Sequence, residues 1–166
     1  MSLYRDVAGS AAWDALPRVL HDFHERGGDG TLTVTSRGFA RVLSFLGFAP
    51  SPGSAAVVLR IEKLPDGERW VRSFHDEVFA TEQRLVRGLV VERTGIFEWT
   101  FKATTRGDSL RYEILTVFLR FGAVRLTVPP WMVPRVEASE RADGPRVHVN
   151  VAIGNAFRYT GYLTPR

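Results

Sequence analysis

The residues best placed to do chemistry are Trp70, Arg72 and Phe74, within the run Glu68-Arg69-Trp70-Val71-Arg72-Ser73-Phe74. Alternate residues of an extended chain share a face, so a guanidinium stands between two rings. That geometry holds an anionic head group while an apolar tail lies on the aromatics. It is equally a cross-strand ladder that stabilises a sheet. Glu92 follows the apolar Leu89-Val90-Val91 and precedes Arg93. A carboxylate there is either a general base with a raised pKa or an ion-pair partner of Arg72. Because a lone buried carboxylate costs several kcal/mol, the pairing is the expectation. Trp99, Tyr112 and Tyr159 are candidates to line the same concavity, or to fill it.

Other chemistries find little footing. His21 and His24 are three residues apart on one expected helix, a spacing that can aim two imidazoles at one metal. No third ligand stands at a diagnostic distance, so surface or capping roles are expected and no metal site is assigned. There is no Gly-x-Ser-x-Gly elbow, no His-Glu-x-x-His, no phosphate-binding loop and no dinucleotide glycine fingerprint. No catalytic residue and no cofactor is assigned. The chain has no cysteine, which removes disulfides, thiolate metal sites and thiol nucleophiles and suits a reducing cytoplasm.

The formal charge is +4, carried almost wholly by arginine, with Lys63 and Lys102 the only lysines. The arginines are interspersed with carboxylates and never cluster, as in Glu92-Arg93 and Glu140-Arg141, so no nucleic-acid partner is expected. No apolar run reaches the ~20 residues of a membrane-spanning helix, and residues 1–6 lack an apolar signal core. A soluble, cytoplasmic chain is the expectation.

The candidates must be positioned by a sheet. Period-two alternation recurs over 83–92, 96–105 and 110–121, with glycine at the breaks, which marks an antiparallel meander with one buried face. Residues 55–64 and 68–74 form a hairpin about Pro65-Asp66-Gly67. The segment 110–121 is polar on one face early and apolar on both faces late, so it leaves water along its length, and helices should cover its far end. Segments 135–139, 147–153 and 157–163 complete the strands, and Thr127-Val128-Pro129-Pro130-Trp131-Met132-Val133-Pro134 is expected to be a loop packed down on the rest.

Before the sheet, Leu16, Val19, Leu20 and Phe23 form one apolar stripe of a helix that begins near Asp14, its expected cap, and ends at Gly27-Gly28. Residues 31–35 alternate as a short strand. A second helix is predicted over 36–46, with Phe39, Val42, Leu43 and Leu46 on its stripe, Phe45 and Phe48 off it and Gly47 as its stop. The whole is one domain, residues 1–166, with a helical part over 1–50 and a β-rich part over 51–166 divided at Ala49-Pro50-Ser51-Pro52-Gly53.

Several segments, taken in register, resemble a bacterial family called domain of unknown function 4166. They are Leu16-Pro17 with His21, Leu43-Ser44-Phe45-Leu46-Gly47-Phe48-Ala49-Pro50, the 68–74 run, Val91-Glu92-Arg93-Thr94-Gly95, Val128-Pro129-Pro130 and Tyr159-Thr160-Gly161-Tyr162-Leu163. The resemblance supplies no catalytic residues. Because the family is often found beside saccharopine-dehydrogenase-like reductases, it implies at most an accessory or substrate-binding role.

The expected fold is α+β: two N-terminal helices packed on a highly curved antiparallel sheet of eight to ten strands, a half-barrel or partly open barrel of the lipocalin kind. A helix-grip cradle is the alternative, and it needs a long C-terminal helix for which residues 162–166 leave no room. The expected function is a non-catalytic module binding a small apolar or amphipathic ligand in the concave face, with Arg72 and the tyrosines at its mouth. The alternatives are a domain that docks on a reductase-like partner and, last, an enzyme using Glu92 with His21 or a tyrosine.

Overall fold

The computed structural model describes residues 2–38 and 50–166. Among them the chain forms three short helices, α1 (Leu3–Ala8), α2 (Ser10–Asp14) and α3 (Arg18–Arg26), and eleven strands. These are β1 (Gly28–Ser36), β2 (Gly53–Leu64), β3 (Gly67–Phe74), β4 (Glu77–Val86), β5 (Leu89–Thr94), β6 (Phe97–Arg106), β7 (Ser109–Phe121), β8 (Val124–Thr127), β9 (Val136–Asp143), β10 (Arg146–Ile153) and β11 (Phe157–Pro165). Each strand pairs antiparallel with its neighbours in the order β6-β5-β4-β3-β2-β1-β11-β10-β9-β7, and β6 pairs back onto β7. Ten strands therefore close a barrel, and β8 hangs from β7 as an eleventh. The lipocalin-like expectation holds in its coarse form, but the sheet is closed where a half-barrel was expected. The closing pair, β6 with β7, runs from Phe97 opposite Leu119 to Arg106 opposite Ser109.

Local sequence explains the strand limits. The expected single segment 83–92 is two strands, because Arg87 and Gly88 both take positive φ (52° and 77°) and make a tight hairpin turn between β4 and β5. The doubly apolar end of 110–121 is explained by a bulge. Thr100 faces Thr116 whereas Phe101 faces Ile114, so Leu115 is an extra residue and the inward set changes from Leu110, Tyr112 and Ile114 to Val117 and Leu119. Curvature also needs small residues. A Cβ at Gly161 would run into the backbone carbonyl of Thr31, and one at Gly30 into that of Tyr162.

The helices close one end of the barrel. Leu16, Leu20 and Phe23 of the predicted stripe are buried, along with Leu3, Tyr4 and Trp13 of the two preceding helices. The helix carrying the stripe starts at Arg18 with Pro17 as its N-cap residue, and Asp14 ends α2, where it pairs with Arg5 at 3.1 Å. Proline suits this place because its φ is preset and its missing N–H would have no partner there. Gly27 ends α3 at φ 77°, donating to Phe23 O. This plug sits where β1 begins and β11 ends. The late end of β7 is at the rim opposite these three helices. Residues 31–35 extend to a full strand of the barrel wall, β1, which pairs with β11 and β2. The helix predicted over 36–46 falls mostly on residues outside those described.

Candidate functional site

Pairing registers bring all seven candidate residues to the barrel interior. One row of inward side chains runs Lys63, Glu68, Gln83, Glu92, Trp99 and Val117 across β2, β3, β4, β5, β6 and β7. Trp70, Arg72 and Phe74 alternate with outward neighbours along β3, Tyr112 lies on β7 beside Ala138 of β9, and Tyr159 faces Val34 on β1 and Val151 on β10.

Their surroundings differ with depth. Trp70 is buried against the plug, with Tyr4, Phe23 and His24 packed on its ring at 5.9, 6.2 and 5.3 Å, and its indole N–H donates to Glu68 Oε2 at 3.1 Å. It is thus part of the filled core, and the expectation that it lines an open concavity is corrected. Phe74 is buried edge-on to Phe79 at 5.8 Å. Toward the mouth, Phe79, Phe97, Trp99, Ile114, Leu119 and Tyr159 are only half-buried although they face inward.

The Arg72–Glu92 ion pair expected from sequence is absent. Arg72 Nη1 donates to Thr81 Oγ1 at 3.2 Å, and its guanidinium lies 5.4 Å from the Trp70 ring centre. Among the described residues no carboxylate comes within ion-pair distance of Arg72, and Glu92 makes no hydrogen bond. The one strand between them, β4, and the diagonal step from Arg72 to Thr81 carry the groups apart. Among the described residues, Arg72 therefore keeps spare donors and Glu92 spare acceptors.

Beneath them lies a polar layer that sequence reading missed. His24 is fully buried, and its Nε2 donates to Glu140 Oε2 at 2.6 Å while Nδ1 has no partner. Tyr4 Oη donates to Gln83 Oε1 at 2.9 Å, and Glu68 Oε1 accepts from Leu3 N at 2.8 Å and Lys63 Nζ at 2.7 Å. The surface role expected for His24 is overturned. Its position four residues after Leu20 and eight after Leu16, on the apolar stripe, was the available signal. His21 goes elsewhere, stacked on Trp13 with Nε2 bonded to Trp13 O at 2.9 Å. Tyr4 had only Ser2, one residue before the helix and bonded to its N–H, as a cue.

Burial raises the pKa of Tyr4 well above the ordinary phenol range; the Glu92, Glu140 and Glu68 carboxylates add to this, and Arg72 opposes it. Burial does the same to Tyr112, helped by Glu140, and its hydroxyl has no hydrogen-bond partner of ordinary length. Tyr159 is raised by burial, lowered in part by Arg72 and raised again by Glu92 and Glu140. All three phenols are thus held neutral about one guanidinium and three carboxylates.

The wall opens at one seam. β7 pairs with β9 only from Ser109 to Tyr112, after which β7 turns its edge to β8. Between the diverging strands lies a pocket of about 420 Å³, lined on the inward side by Tyr112, Ile114 and Val136 and outside by Arg111, Val133 and Arg135. Its volume is that of a small-molecule site. Among the described residues no group of three or more His, Asp or Glu side chains is arranged to hold a metal.

A closed barrel with a helical plug and a polar layer beneath Arg72 and Glu92 defines the class: a closed antiparallel β-barrel with a few short helices. The particular family follows from residues 16–163, which match the model described as domain of unknown function (DUF4166). The chain belongs to that family, and the segments that first carried the resemblance lie within or across the matched span. No curated protein and no solved structure matches it. No helix among the described residues is long and apolar enough to cross a membrane.

Proposed function

We propose that this protein is a non-catalytic module that holds a small amphipathic molecule in the mouth half of the barrel. One observation carries the reading: inward-facing Phe79, Phe97, Trp99, Ile114, Leu119 and Tyr159 keep part of their surface accessible, whereas inward residues at the plugged end, such as Trp70, Val90 and Leu110, are buried. The tail of a ligand lies on those rings and methyl groups. Its head meets the spare donors of Arg72 and the protonated hydroxyl of Tyr159, which favours a carboxylate or another compact anion. The seam beside Tyr112 and Ile114 is the side entrance.

The test is a titration of the purified protein with medium-chain fatty acids and the matching alcohols, read by calorimetry. The acids bind and the alcohols bind at least tenfold more weakly, since the charged head contact is worth about 1.5–3 kcal/mol. Failure of both series to bind overturns the reading. The docking alternative draws on a different observation, the exposed apolar residues of β8 and of the loop that follows it, Leu126 and Trp131 among them.

A further inference from the structure

The hairpin of β7 and β8 projects beyond the barrel wall. Every residue from Phe121 to Thr127 is exposed, and Phe121, Val124 and Leu126 are each more than half exposed. Phe121 pairs with Val124 and Leu119 with Leu126, so these four side chains share one face, the same face that points into the barrel where Leu119 meets Phe97. The apolar lining of the mouth thus continues outward onto a wet lip. The chain then enters the turn Pro130–Met132, in which Trp131 is 83% exposed. Exposed aromatic and aliphatic side chains grouped on projecting segments mark an interaction surface.

The other face of the hairpin says what covers it. Arg120 and Arg125 stand opposite each other one residue behind the tip. With Arg93 they converge on Glu98, at 2.8, 2.6 and 3.3 Å, and Arg125 also lies 3.5 Å over the Phe118 ring. Three guanidinium groups share one carboxylate, so two positive charges remain uncompensated. A second copy paired edge to edge through β8 would set two such clusters side by side and be repelled. An apolar tip backed at once by arginine matches the acyl boundary and head groups of an anionic membrane.

We infer that the β7–β8 lip docks on the surface of an anionic phospholipid bilayer, with Phe121, Val124 and Leu126 at the acyl boundary and Arg120 and Arg125 among the phosphates. That docking also loads the barrel rests on the interior-binding reading above; the docking itself needs no ligand.

The experiment is co-sedimentation of the ligand-free protein with vesicles of phosphatidylcholine alone and of an equal mixture of phosphatidylcholine and phosphatidylglycerol. The protein pellets with the mixed vesicles, at least tenfold better than with phosphatidylcholine alone, and high salt releases it. The double variant Leu126→Ser with Trp131→Ser, exposed positions that leave thermal unfolding unchanged, loses roughly tenfold or more of the binding. No pelleting with mixed vesicles, or equal pelleting by the variant, overturns the inference. So does sedimentation equilibrium showing a wild-type dimer that the double variant converts to monomer, because the lip then covers a second copy. Fatty-acid titration of the same double variant separates the two readings: intact binding there with lost pelleting leaves the interior site standing.

Discussion

Replacing Arg72 by alanine separates a head-group residue from a structural counter-ion. The side chain makes one hydrogen bond, to Thr81, and stacks loosely over Trp70. Losing the hydrogen bond costs about 1 kcal/mol and the stacking about 0.5 kcal/mol. Removing a half-buried guanidinium that faces no carboxylate returns part of this, so the net loss is about 1 kcal/mol. In a domain of this size that lowers Tm by roughly 2–4 °C. Urea unfolding gives the free energy, and calorimetry on the folded variant gives the affinity for a fatty acid. Near-native stability with affinity reduced about tenfold or more fits the interior site. A loss of more than about 4 kcal/mol would refute the reasoning, because that is the penalty for stranding a buried carboxylate, and Glu92 would be its partner after all. In that event Glu92→Gln added to Arg72→Ala would restore stability; on the present account the second change does nothing for the first.

Other perturbations test the parts that hold the site. Burial pushes the Glu98 carboxyl up, but Arg120, Arg93 and Arg125 outweigh this and hold it below its usual range, so its stabilisation is complete above the unfolded value near ~4.3 and disappears as pH falls through the folded one. Glu98→Gln should cost about 2 kcal/mol, less than a fully buried pair because the arginines are partly in water, and hydrogen exchange should show the loss concentrated in β8. Tyr4, Tyr112 and Tyr159 give the opposite pH window. Their folded pKa values lie above the unfolded value near ~10, so stability is level below that pH and falls above it by up to about 1.4 kcal/mol per pH unit for each phenol; urea midpoints that stay flat to about pH 11 would contradict the buried tyrosine layer. Gly161→Ala should destabilise by about 2 kcal/mol or more, since its methyl meets the Thr31 carbonyl and the Leu32 side chain across the strand pair.

Much of the architecture was legible because alternation, glycine and proline act locally. The β2–β3 hairpin, β6, β7 and the three C-terminal strands follow from pattern and turn chemistry alone. Barrel closure did not, because it depends on β6 meeting β7 and on a bulge at Leu115 that the apolar pattern shows only as a conflict. The site was legible as a face: Trp70, Arg72 and Phe74 share one, and Glu92, Trp99, Tyr112 and Tyr159 reach the same interior through register. What pairing within that interior looks like was not legible, since the Arg72–Thr81 contact and the His24–Glu140 bond join residues 9 and 116 positions apart that no periodicity links. β8 was missed for a related reason. Its four exposed residues have no buried face to impose alternation.

The account turns on whether the half-open mouth is occupied by a molecule. Native mass spectrometry of protein purified without denaturation, followed by organic extraction of the same sample, reads this directly. A stoichiometric amphipathic acid that is lost from Arg72→Ala is the predicted result. A clean protein mass, with no stabilisation on adding fatty acids, would contradict the binding module and leave the exposed lip as the functional surface.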